Sequence, residues 1–534
     1  MERTGLSEAR GATTTTTLLE STIWEALRGR ASRKSTAAAL SFPAEHVELT
    51  FALLLKEVEK IASGFLACAL NAQQLKEHLA LGNFKAIICF PSGKSGSVYH
   101  KLEEVCPELP KCKAGKLKAQ AVPALSHVIL AEEEHKMTGT LTFSEVYGLG
   151  RPELLTKFDK TASRKGPHDL AAIHFTAGTT GVPKAAMLSH FQLLNACKVV
   201  GERLKLDRAE EVFCCLMPVF RGPVLSLAVL SPAVLGTSVV YPSPAPKPRV
   251  IFETIQSHKC TTILSNPIAF HMLCRMPLAR RHDWTSLKQA CLFGEQLQSD
   301  MLDEIENIGG LETIATGLFL TEAGCAPILS TAHPIDEKEK LLTGRGDVLD
   351  HYEVKIVNKD GSTAACGIPG SLLVKQIGSS SLLGYLNAED LSNEAKEEGW
   401  IDTGDVAKID SDGKVSILGQ VQDLIWNGEA EPLYPWATER VIGSHADVIG
   451  AQIVGMLQQK GKLCACIVPK QKDIDYDKSS LRDELMKRCR EAKLLLPDYI
   501  VFVDDFPRTP TRRIRKFKLT QLAPSLVKQQ CGVF

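Results

Sequence analysis

The sequence lacks an excess of charge of either sign. Lysine and arginine number 62, aspartate and glutamate also number 62, and the formal net charge is +0. General nucleic-acid-binding proteins carry a basic excess, so this balance, together with the absence of KH, OB and zinc-finger patterns, argues against that class. With 44% hydrophobic and 23% charged residues among 534, the chain is typical of a globular protein with two or more domains.

Long apolar runs are also missing. No run reaches the ~18 residues that a membrane span needs. The most apolar stretch, residues 224–240, is interrupted by Ser226 and Pro232 and predicts a buried helix followed by a strand. The polar, threonine-rich residues 1–20 lack the apolar core of a signal peptide. We therefore expect an intracellular protein, cytoplasmic or mitochondrial, without an integral membrane segment.

Cysteines with metal-site spacing are absent in the same way. The 16 cysteines are scattered and form no CxxC pairs, which excludes the usual zinc-site spacing. A disulfide framework is typical of small secreted domains. The pattern therefore indicates free, mostly buried thiols in a reducing compartment.

Short apolar runs that alternate with helical patterns define the organisation of the chain. Residues 86–90 and 126–130 are two such runs, typical of buried strands in a parallel sheet covered on both faces. After Gly419 the composition changes, and just over a hundred residues remain. We predict an α/β fold, with a large N-terminal region of several subdomains and parallel-type sheets (residues 1–418) and a small, mobile α+β C-terminal domain (residues 419–534).

One loop carries the clearest chemistry. A predicted strand, residues 170–175, leads into the sequence Thr-Ala-Gly-Thr-Thr-Gly-Val-Pro-Lys. Glycines permit turns that present backbone N–H groups to phosphate oxygens, and hydroxyls and an ammonium add donors and charge. The alternative, an ordinary polar loop, does not account for this density of donors. The candidate phosphate-binding residues are Thr176, Gly178, Thr179, Thr180, Gly181 and Lys184.

This loop resembles the [ST]SGTTGxPKG signature of the ATP-dependent adenylate-forming superfamily, which includes acyl-CoA synthetases and beetle luciferases. It departs from the signature at Ala177 and Ala185. The resemblance extends from about Trp24 to Leu519 and is strongest to the mitochondrial medium-chain acyl-CoA synthetase branch, although this chain is shorter around residues 67–86. The resemblance implies ATP and Mg²⁺ as cofactors, CoA as the candidate thiol, and a small-molecule carboxylic acid as the substrate.

The resemblance also implies roles for five further residues. Asp405, in a Trp-x-x-Thr-Gly-Asp motif, would accept hydrogen bonds from the ribose hydroxyls. Gly294 and Glu295 would line the adenine. Thr321 would contact phosphate, and Glu322 would hold Mg²⁺, for which a carboxylate is a suitable ligand. A further family landmark, the dipeptide Gly-Tyr at residues 384–385, is predicted to be structural.

Several charge-handling positions depart from the family pattern. Arg221 stands where the family has a histidine that positions the acyl carboxylate, and Gln420 replaces an arginine that touches ribose and phosphate. Arg513 replaces the lysine that bridges ATP and the acid, and arginine does not reproduce the reach of an ammonium. Leu318 and Phe319 replace an aromatic residue and a glycine, so the aromatic that stacks on adenine is missing or shifted. Asp423 keeps the family's pivot position, so the hinge is predicted there.

Three functions remain open on these grounds. The first is an acid–thiol ligase that forms an acyl-adenylate and then a thioester. The second is an ATP-dependent luciferase, an oxidoreductase acting on a luciferin-like substrate, which Arg221 could hold if that substrate is anionic. The third is a nucleotide-binding protein that has lost catalysis. The sequence leaves the acid and the oligomeric state undetermined.

Overall fold

The computed structural model describes most of the chain. Outside the described residues lie 1–5, 13–16, 62–74, 77–78, 81, 83, 90–97, 132–135, 150–151, 177–183, 220, 244–246, 295–296, 298, 307–310, 334–335, 378–381, 395–398, 426–432, 446, 457–460, 471–477, 508–513 and 533–534.

The strands alternate with helices along most of the chain. In chain order the strands are β1 Glu8–Arg10, β2 Ala38–Phe42, β3 Val47–Thr50, β4 Ala86–Cys89, β5 His127–Leu130, β6 Leu141–Thr142, β7 Leu170–Phe175, β8 Ala185–Ser189, β9 Val212–Cys215, β10 Ser238–Val240, β11 Thr262–Ser265, β12 Gln289–Leu292, β13 Thr313–Leu320, β14 Cys325–Ala332, β15 Arg345–Val348, β16 Tyr352–Val357, β17 Gly370–Gln376, β18 Gly384–Tyr385, β19 Ile401–Ile409, β20 Val415–Gln420, β21 Val448–Gly455, β22 Leu463–Pro469 and β23 Tyr499–Phe502. The helices are α1 Ile23–Arg33, α2 Phe51–Ile61, α3 Val98–Val105, α4 Phe143–Gly148, α5 Pro152–Ala162, α6 His190–Arg203, α7 Gly222–Val224, α8 Ser231–Leu235, α9 Pro248–Ser257, α10 Pro267–Cys274, α11 Ser299–Glu306, α12 Lys338–Thr343, α13 Glu389–Glu394, α14 Trp436–Gly443, α15 Lys478–Glu491 and α16 Lys516–Cys531.

The main sheet joins a parallel half to an antiparallel half. Among the described residues it has 14 strands, in the order β1-β16-β17-β19-β20-β15-β14-β13-β12-β11-β9-β10-β2-β3. The pairs from β2 to β13 are parallel, and those from β13 to β1 are antiparallel. A further sheet, β4-β5-β6, is parallel throughout. The predicted parallel arrangement therefore applies to one half of the main sheet, and antiparallel strands complete it.

The most apolar stretch folds as its sequence predicts, with one addition. Helix α7 continues into a π-helix, Leu225–Val229, before α8 and strand β10. Pro232 lies in the first turn of α8, where its missing N–H costs nothing, and Gly236 ends the helix with a φ of 79°. Within the described part of the chain, no helix is both long and apolar enough to cross a membrane.

The C-terminal part of the chain has its own sheet and its own core. Strands β21, β22 and β23 form a separate sheet. Helix α15 packs on one face, where Ile453 and Leu485 are buried. Helix α16 packs on the other face through Leu519 and Ala523. The main sheet extends to the end of β20 at Gln420, and the domain boundary at residue 418 stays a prediction.

Candidate functional site

The two ends of the predicted phosphate loop are held together. Strands β7 and β8 are antiparallel, with Phe175 opposite Ala185. The Thr176 N–H donates to the Lys184 carbonyl at 2.8 Å, and the Lys184 N–H donates to Thr176 Oγ1 at 3.4 Å. A strand pair therefore fixes both ends of the loop. The other candidates in this loop, Gly178, Thr179, Thr180 and Gly181, lie outside the described residues.

A tyrosine connects this loop to the predicted metal ligand. Lys184 Nζ lies 5.2 Å from the centroid of the Tyr385 ring, and the Tyr385 hydroxyl donates to Glu322 Oε1 at 2.8 Å. Burial and the adjacent Glu322 carboxylate raise the pKa of the Tyr385 phenol, so at neutral pH it stays a neutral donor. The structure thus brings Lys184 and Glu322 to the same ring, and Tyr385, which the sequence analysis predicted to be structural, contacts both candidate residues.

The turn that carries Glu322 is supported from two neighbouring elements. It is a single 3₁₀ turn, Thr321–Ala323, between β13 and β14. Gln192 Nε2 donates to the Glu322 carbonyl at 2.6 Å, and the Tyr352 hydroxyl donates to the next carbonyl at 3.0 Å. Gly324 ends the turn with a φ of 76°, and a Cβ there would lie 3.2 Å from a side chain of α6. These contacts hold the backbone of the turn in place. The Glu322 carboxylate, which is 9% exposed, is therefore positioned as an oxygen ligand for a cation.

Arg221 and Thr321 lie against glycines at the same edge of the sheet. A Cβ on Gly222 would lie 3.2 Å from Thr321 Oγ1, and a Cβ on Gly294 would lie 3.8 Å from Arg221 Nη1. Gly294 has a φ of 110°, a conformation that a residue with a side chain rarely adopts. Strands β9 and β12 both end just before these segments, and ligands of open α/β sheets bind outside such carboxyl ends. The structure therefore places Arg221 beside the predicted adenine-lining glycine; Glu295 lies outside the described residues.

An aromatic pair lies beside Gly294. The rings of Phe293 and Phe319 have centroids 4.0 Å apart and are tilted by 58°. Phe293 is fully buried, whereas Phe319 is half-buried. Phe319, one residue after the position where the family has its aromatic, therefore packs against the residue that precedes the predicted adenine-lining Gly294.

Asp405, the residue predicted to bind ribose, lies opposite Gln420, which occupies the predicted ribose- and phosphate-contacting position, in a pair of neighbouring strands. Asp405 in β19 is directly opposite Gln420 in β20, and Asp405 is 8% exposed. The Asp405 N–H donates to Thr403 Oγ1 at 3.1 Å. Gln420 Oε1 accepts from Gln422 Nε2 at 2.8 Å. The sheet therefore brings Asp405 and Gln420 together, as the family pattern implied, while the predicted catalytic Arg513 lies outside the described residues.

The donor set fits a nucleotide and a divalent cation. Glu322 is a buried carboxylate whose backbone is anchored, and carboxylate oxygens are the ligands that Mg²⁺ prefers. Lys184 supplies a positive charge over the ring whose hydroxyl donates to this carboxylate, and Asp405 supplies an acceptor suited to a diol.

Comparison with known proteins decides the family. Residues 65–386 match the AMP-binding enzyme family, and residues 437–513 match the AMP-binding enzyme C-terminal domain. The chain belongs to the AMP-binding enzymes. The predicted resemblance to the adenylate-forming superfamily is therefore confirmed.

Two similar curated AMP-binding enzymes are vertebrate proteins. The mitochondrial medium-chain acyl-CoA ligase of Homo sapiens is 27% identical over 564 residues, which covers 97% of this chain and 90% of that protein. The corresponding ligase of Danio rerio is 26% identical, covering 94% of this chain and 88% of that protein. The predicted similarity to the medium-chain branch is thus confirmed.

Solved structures of similar proteins share the fold. An anthranilate CoA ligase in complex with anthranoyl-AMP is 20% identical with a TM-score of 0.77, covering 95% of this chain and 99% of that one. The O-succinylbenzoate coenzyme A synthetase of Bacillus subtilis in complex with AMP is 20% identical with a TM-score of 0.68, covering 94% and 98%. The predicted α/β fold with a small C-terminal region is confirmed.

Proposed function

We propose that the protein is an ATP- and Mg²⁺-dependent acid–thiol ligase that joins a small-molecule carboxylic acid to CoA through an acyl-adenylate. The observation that carries this proposal is the convergence of Lys184 and Glu322 on Tyr385, next to Thr321 and Arg221. A cation and a carboxylate held at the end of a phosphate-binding loop suit a metal–triphosphate complex. The acyl-CoA ligase activity named for the vertebrate relatives supports the same reaction class.

In the first half-reaction, a carboxylate oxygen of the acid attacks the α-phosphorus of ATP. The bond to pyrophosphate breaks, and the acyl-adenylate forms. Thr176 and Lys184 would bind the phosphates, and Asp405 would accept from both ribose hydroxyls. Mg²⁺ held by Glu322 would neutralise the charge that develops on the phosphate oxygens. Positioning and charge neutralisation would account for most of the rate increase.

In the second half-reaction, the thiol sulfur of CoA attacks the acyl carbon. The bond from that carbon to the phosphate oxygen breaks, AMP leaves, and the thiol proton is released to solvent. Arg513 and Gln420 are proposed to contact the nucleotide in one or both half-reactions.

Arg221 is proposed to bind the acid. Its guanidinium lies beside Gly294, and guanidinium groups bind carboxylates through charge-assisted hydrogen bonds.

Acid-dependent exchange of pyrophosphate into ATP tests the proposal across a panel of acids that differ in length and charge. The proposal expects exchange with at least one acid and thioester formation when CoA is added. No exchange across the panel, with Mg²⁺-ATP still bound in calorimetry, would support the binding-only alternative instead. Light emission with luciferin-like acids would support the luciferase alternative.

We propose a cytoplasmic or mitochondrial location, and the names of the vertebrate relatives support the mitochondrial one. Fractionation of cells that express the full chain tests this, and recovery of the protein in the culture medium would contradict it.

A further inference from the structure

The turn that carries Glu322 is held by three side chains from three different elements. Gln192 of α6 donates to the Glu322 carbonyl, and the Tyr352 hydroxyl of β16 donates to the carbonyl after it. The third donor is Ser226, whose hydroxyl donates to the Gly324 carbonyl. Three successive carbonyls of this buried turn thus each have a side-chain partner, as buried backbone acceptors require.

Ser226 differs from the other two donors because its segment begins at Arg221, the proposed acid-binding residue. Arg221 is the N-cap residue of α7, and α7 runs directly into the π-helix Leu225–Val229, which contains Ser226. The Leu225 N–H donates to the Arg221 carbonyl at 3.1 Å, and the Leu230 N–H donates to the Leu225 carbonyl at 3.1 Å. A movement of Ser226 is therefore transmitted to Arg221 through one short, hydrogen-bonded helical segment.

The same face of this segment contacts the turn at a second point. Gly222 lies four residues before Ser226, and residues four apart are neighbours on one face of a helix. A Cβ on Gly222 would lie 3.2 Å from Thr321 Oγ1 and 3.8 Å from Thr321 Cα. Gly222 and Ser226 therefore contact the two ends of the turn, Thr321 and Gly324. We expect the turn and the helical segment to move together.

The π-helix is a further sign of function in this segment. π-Helices are rare, appear mostly as single turns and are frequent at functional sites. This one begins directly after α7 and holds Ser226 fully buried against the turn, whereas Val229 is 42% exposed. The irregular turn of helix therefore lies between the proposed acid-binding residue and the rest of the segment.

We propose that Ser226 is a positioning residue that couples the turn carrying Glu322 to the helical segment that begins at Arg221. The inference rests on the proposed function, in which Glu322 holds Mg²⁺ and Arg221 binds the acid. When Mg²⁺-ATP binds, the turn becomes fixed, Ser226 holds the segment to it, and Arg221 is ordered for the acid. Mg²⁺-ATP and the acid therefore bind cooperatively, and each tightens the binding of the other by the same factor.

Three variants isolate this hydrogen bond. Ser226→Ala removes the hydroxyl and keeps the rest of the side chain. Ser231→Ala is the first control, because Ser231 in α8 is equally buried and its hydroxyl has no hydrogen-bond partner among the described residues. Removal of a buried hydroxyl without a partner is expected to be neutral or stabilising. Tyr352→Phe is the second control, because it removes a hydroxyl contact to the same turn from an element without a proposed substrate-binding residue.

Hydrogen exchange followed by mass spectrometry tests the coupling without turnover. In the unmodified protein, saturating Mg²⁺-ATP should slow exchange by about fivefold or more in the peptide that contains residues 221–230. In Ser226→Ala the same addition should slow it by less than about twofold, and both controls should keep the full effect. If Ser226→Ala fails to fold, Gly222→Ala, which brings a methyl group against Thr321, should reduce the effect in its place. Full slowing in Ser226→Ala, or equal loss in Ser226→Ala and Tyr352→Phe, would overturn the inference.

A kinetic measurement separates positioning from a merely structural role. The probe acid is octanoate, because the vertebrate relatives are named medium-chain ligases. In the unmodified protein the KM for octanoate should fall about fivefold or more between low and saturating Mg²⁺-ATP, and in Ser226→Ala by less than about twofold. Lower stability of Ser226→Ala in urea with an unchanged dependence of KM on Mg²⁺-ATP would show that the role is structural and would overturn the inference.

The two proposals fail in different ways. Slowed exchange that depends on Ser226, without pyrophosphate exchange for any acid, would remove the ligase proposal and retain the coupling. Ligase activity with slowed exchange that does not depend on Ser226 would retain the ligase and remove the positioning role. Absence of Mg²⁺-ATP binding in calorimetry would overturn both.

Discussion

Two segments of the molecule are built alike at their ends but differ in how far they keep the family's residues. The phosphate loop of the large region begins and ends at Thr176 and Lys184, joined by a backbone hydrogen bond of 2.8 Å. The basic segment of the small region is flanked by Pro507 and Arg515, joined in the same way at 2.8 Å. The first segment keeps the glycines, most of the hydroxyls and the lysine of its family signature, whereas the second has Arg513 in place of lysine. The difference separates residues predicted to bind the nucleotide, most of which match the family, from a residue predicted to act in catalysis, which does not.

Glu322→Gln should have the largest effect, because it removes the charge of the predicted metal ligand. We expect pyrophosphate exchange to fall by about a hundredfold or more. Since the turn is held through its backbone by Gln192 and Tyr352, the fold should persist. Glu353→Gln is the control, because Glu353 makes a surface ion pair with Arg10. Equal activity in the two variants would show that Glu322 does not hold the metal.

Arg513→Lys tests the basic segment of the small region, where an arginine replaces the family's lysine. A lysine restores the slim ammonium of the family pattern, and we expect pyrophosphate exchange to increase by about tenfold. Arg512→Lys is the matched control, one residue earlier in the same basic segment, and should change exchange little. If exchange appears only in Arg513→Lys, the natural chain is not an adenylating enzyme. A decrease in Arg513→Lys would show that the natural arginine is the better catalytic residue.

Tyr385→Phe tests the link between the loop and the metal ligand with a smaller expected effect. The phenylalanine keeps the ring over Lys184 and removes the hydrogen bond to Glu322. We expect a loss of about 1 kcal/mol in stability and a weaker dependence of exchange on Mg²⁺ concentration. Urea unfolding and a Mg²⁺ titration measure the two effects. Tyr352→Phe, which removes a hydroxyl contact to the same turn, should reduce stability without altering the Mg²⁺ dependence.

The difference between these residues shows what the sequence could reveal. The phosphate loop and the Thr321-Glu322 pair could be predicted because their chemistry lies in contiguous residues. Tyr385 belongs to a recognised family landmark, but its contact with Glu322 forms where β18 pairs with β8, a tertiary arrangement that contiguous residues do not reveal. The helix and strand of residues 224–240 were predicted from apolar residues, but the π-helix depends on packing.

The buried charges of the small region could not be predicted either. Lys516 in α16 and Glu439 in α14 form an ion pair whose side chains are 13% and 12% exposed, and their charges read along the chain as ordinary surface residues. Burial turns them into a cluster, and burial depends on how α14 and α16 pack on the sheet of the small region. The phosphate loop needs no such packing to be recognised, because the donors themselves form the pattern.

The pH dependence of stability gives the test with the smallest expected effect, because one carboxylate in each region has a shifted pKa and the two shifts have opposite directions. Burial raises the pKa of Asp423 above its ordinary value of 3.8. Its contribution to stability is therefore present below pH 3.8 and is lost as pH rises through the raised pKa. At Asp410 in the large region burial also acts upward, but hydrogen bonds, foremost from Arg345 at 2.6 Å, lower the pKa overall. The contribution of Asp410 is therefore present above pH 3.8 and is lost as pH falls through the lowered pKa.

The matched variants Asp423→Asn and Asp410→Asn test these opposite pKa shifts. Relative to the unmodified protein, Asp423→Asn should become more stable as pH rises from about 4 to 7, whereas Asp410→Asn should become less stable as pH rises from about 2 to 4, each by roughly 1 kcal/mol or less. Urea unfolding at about pH 2, 4 and 7 gives both differences. The same trend in both variants would mean that Asp423 is not held in a weakly solvated environment beside Lys516. Opposite trends would show that the ionised Asp423 carboxylate reduces the stability of the folded protein, whereas the ionised Asp410 carboxylate, paired with Arg345, increases it.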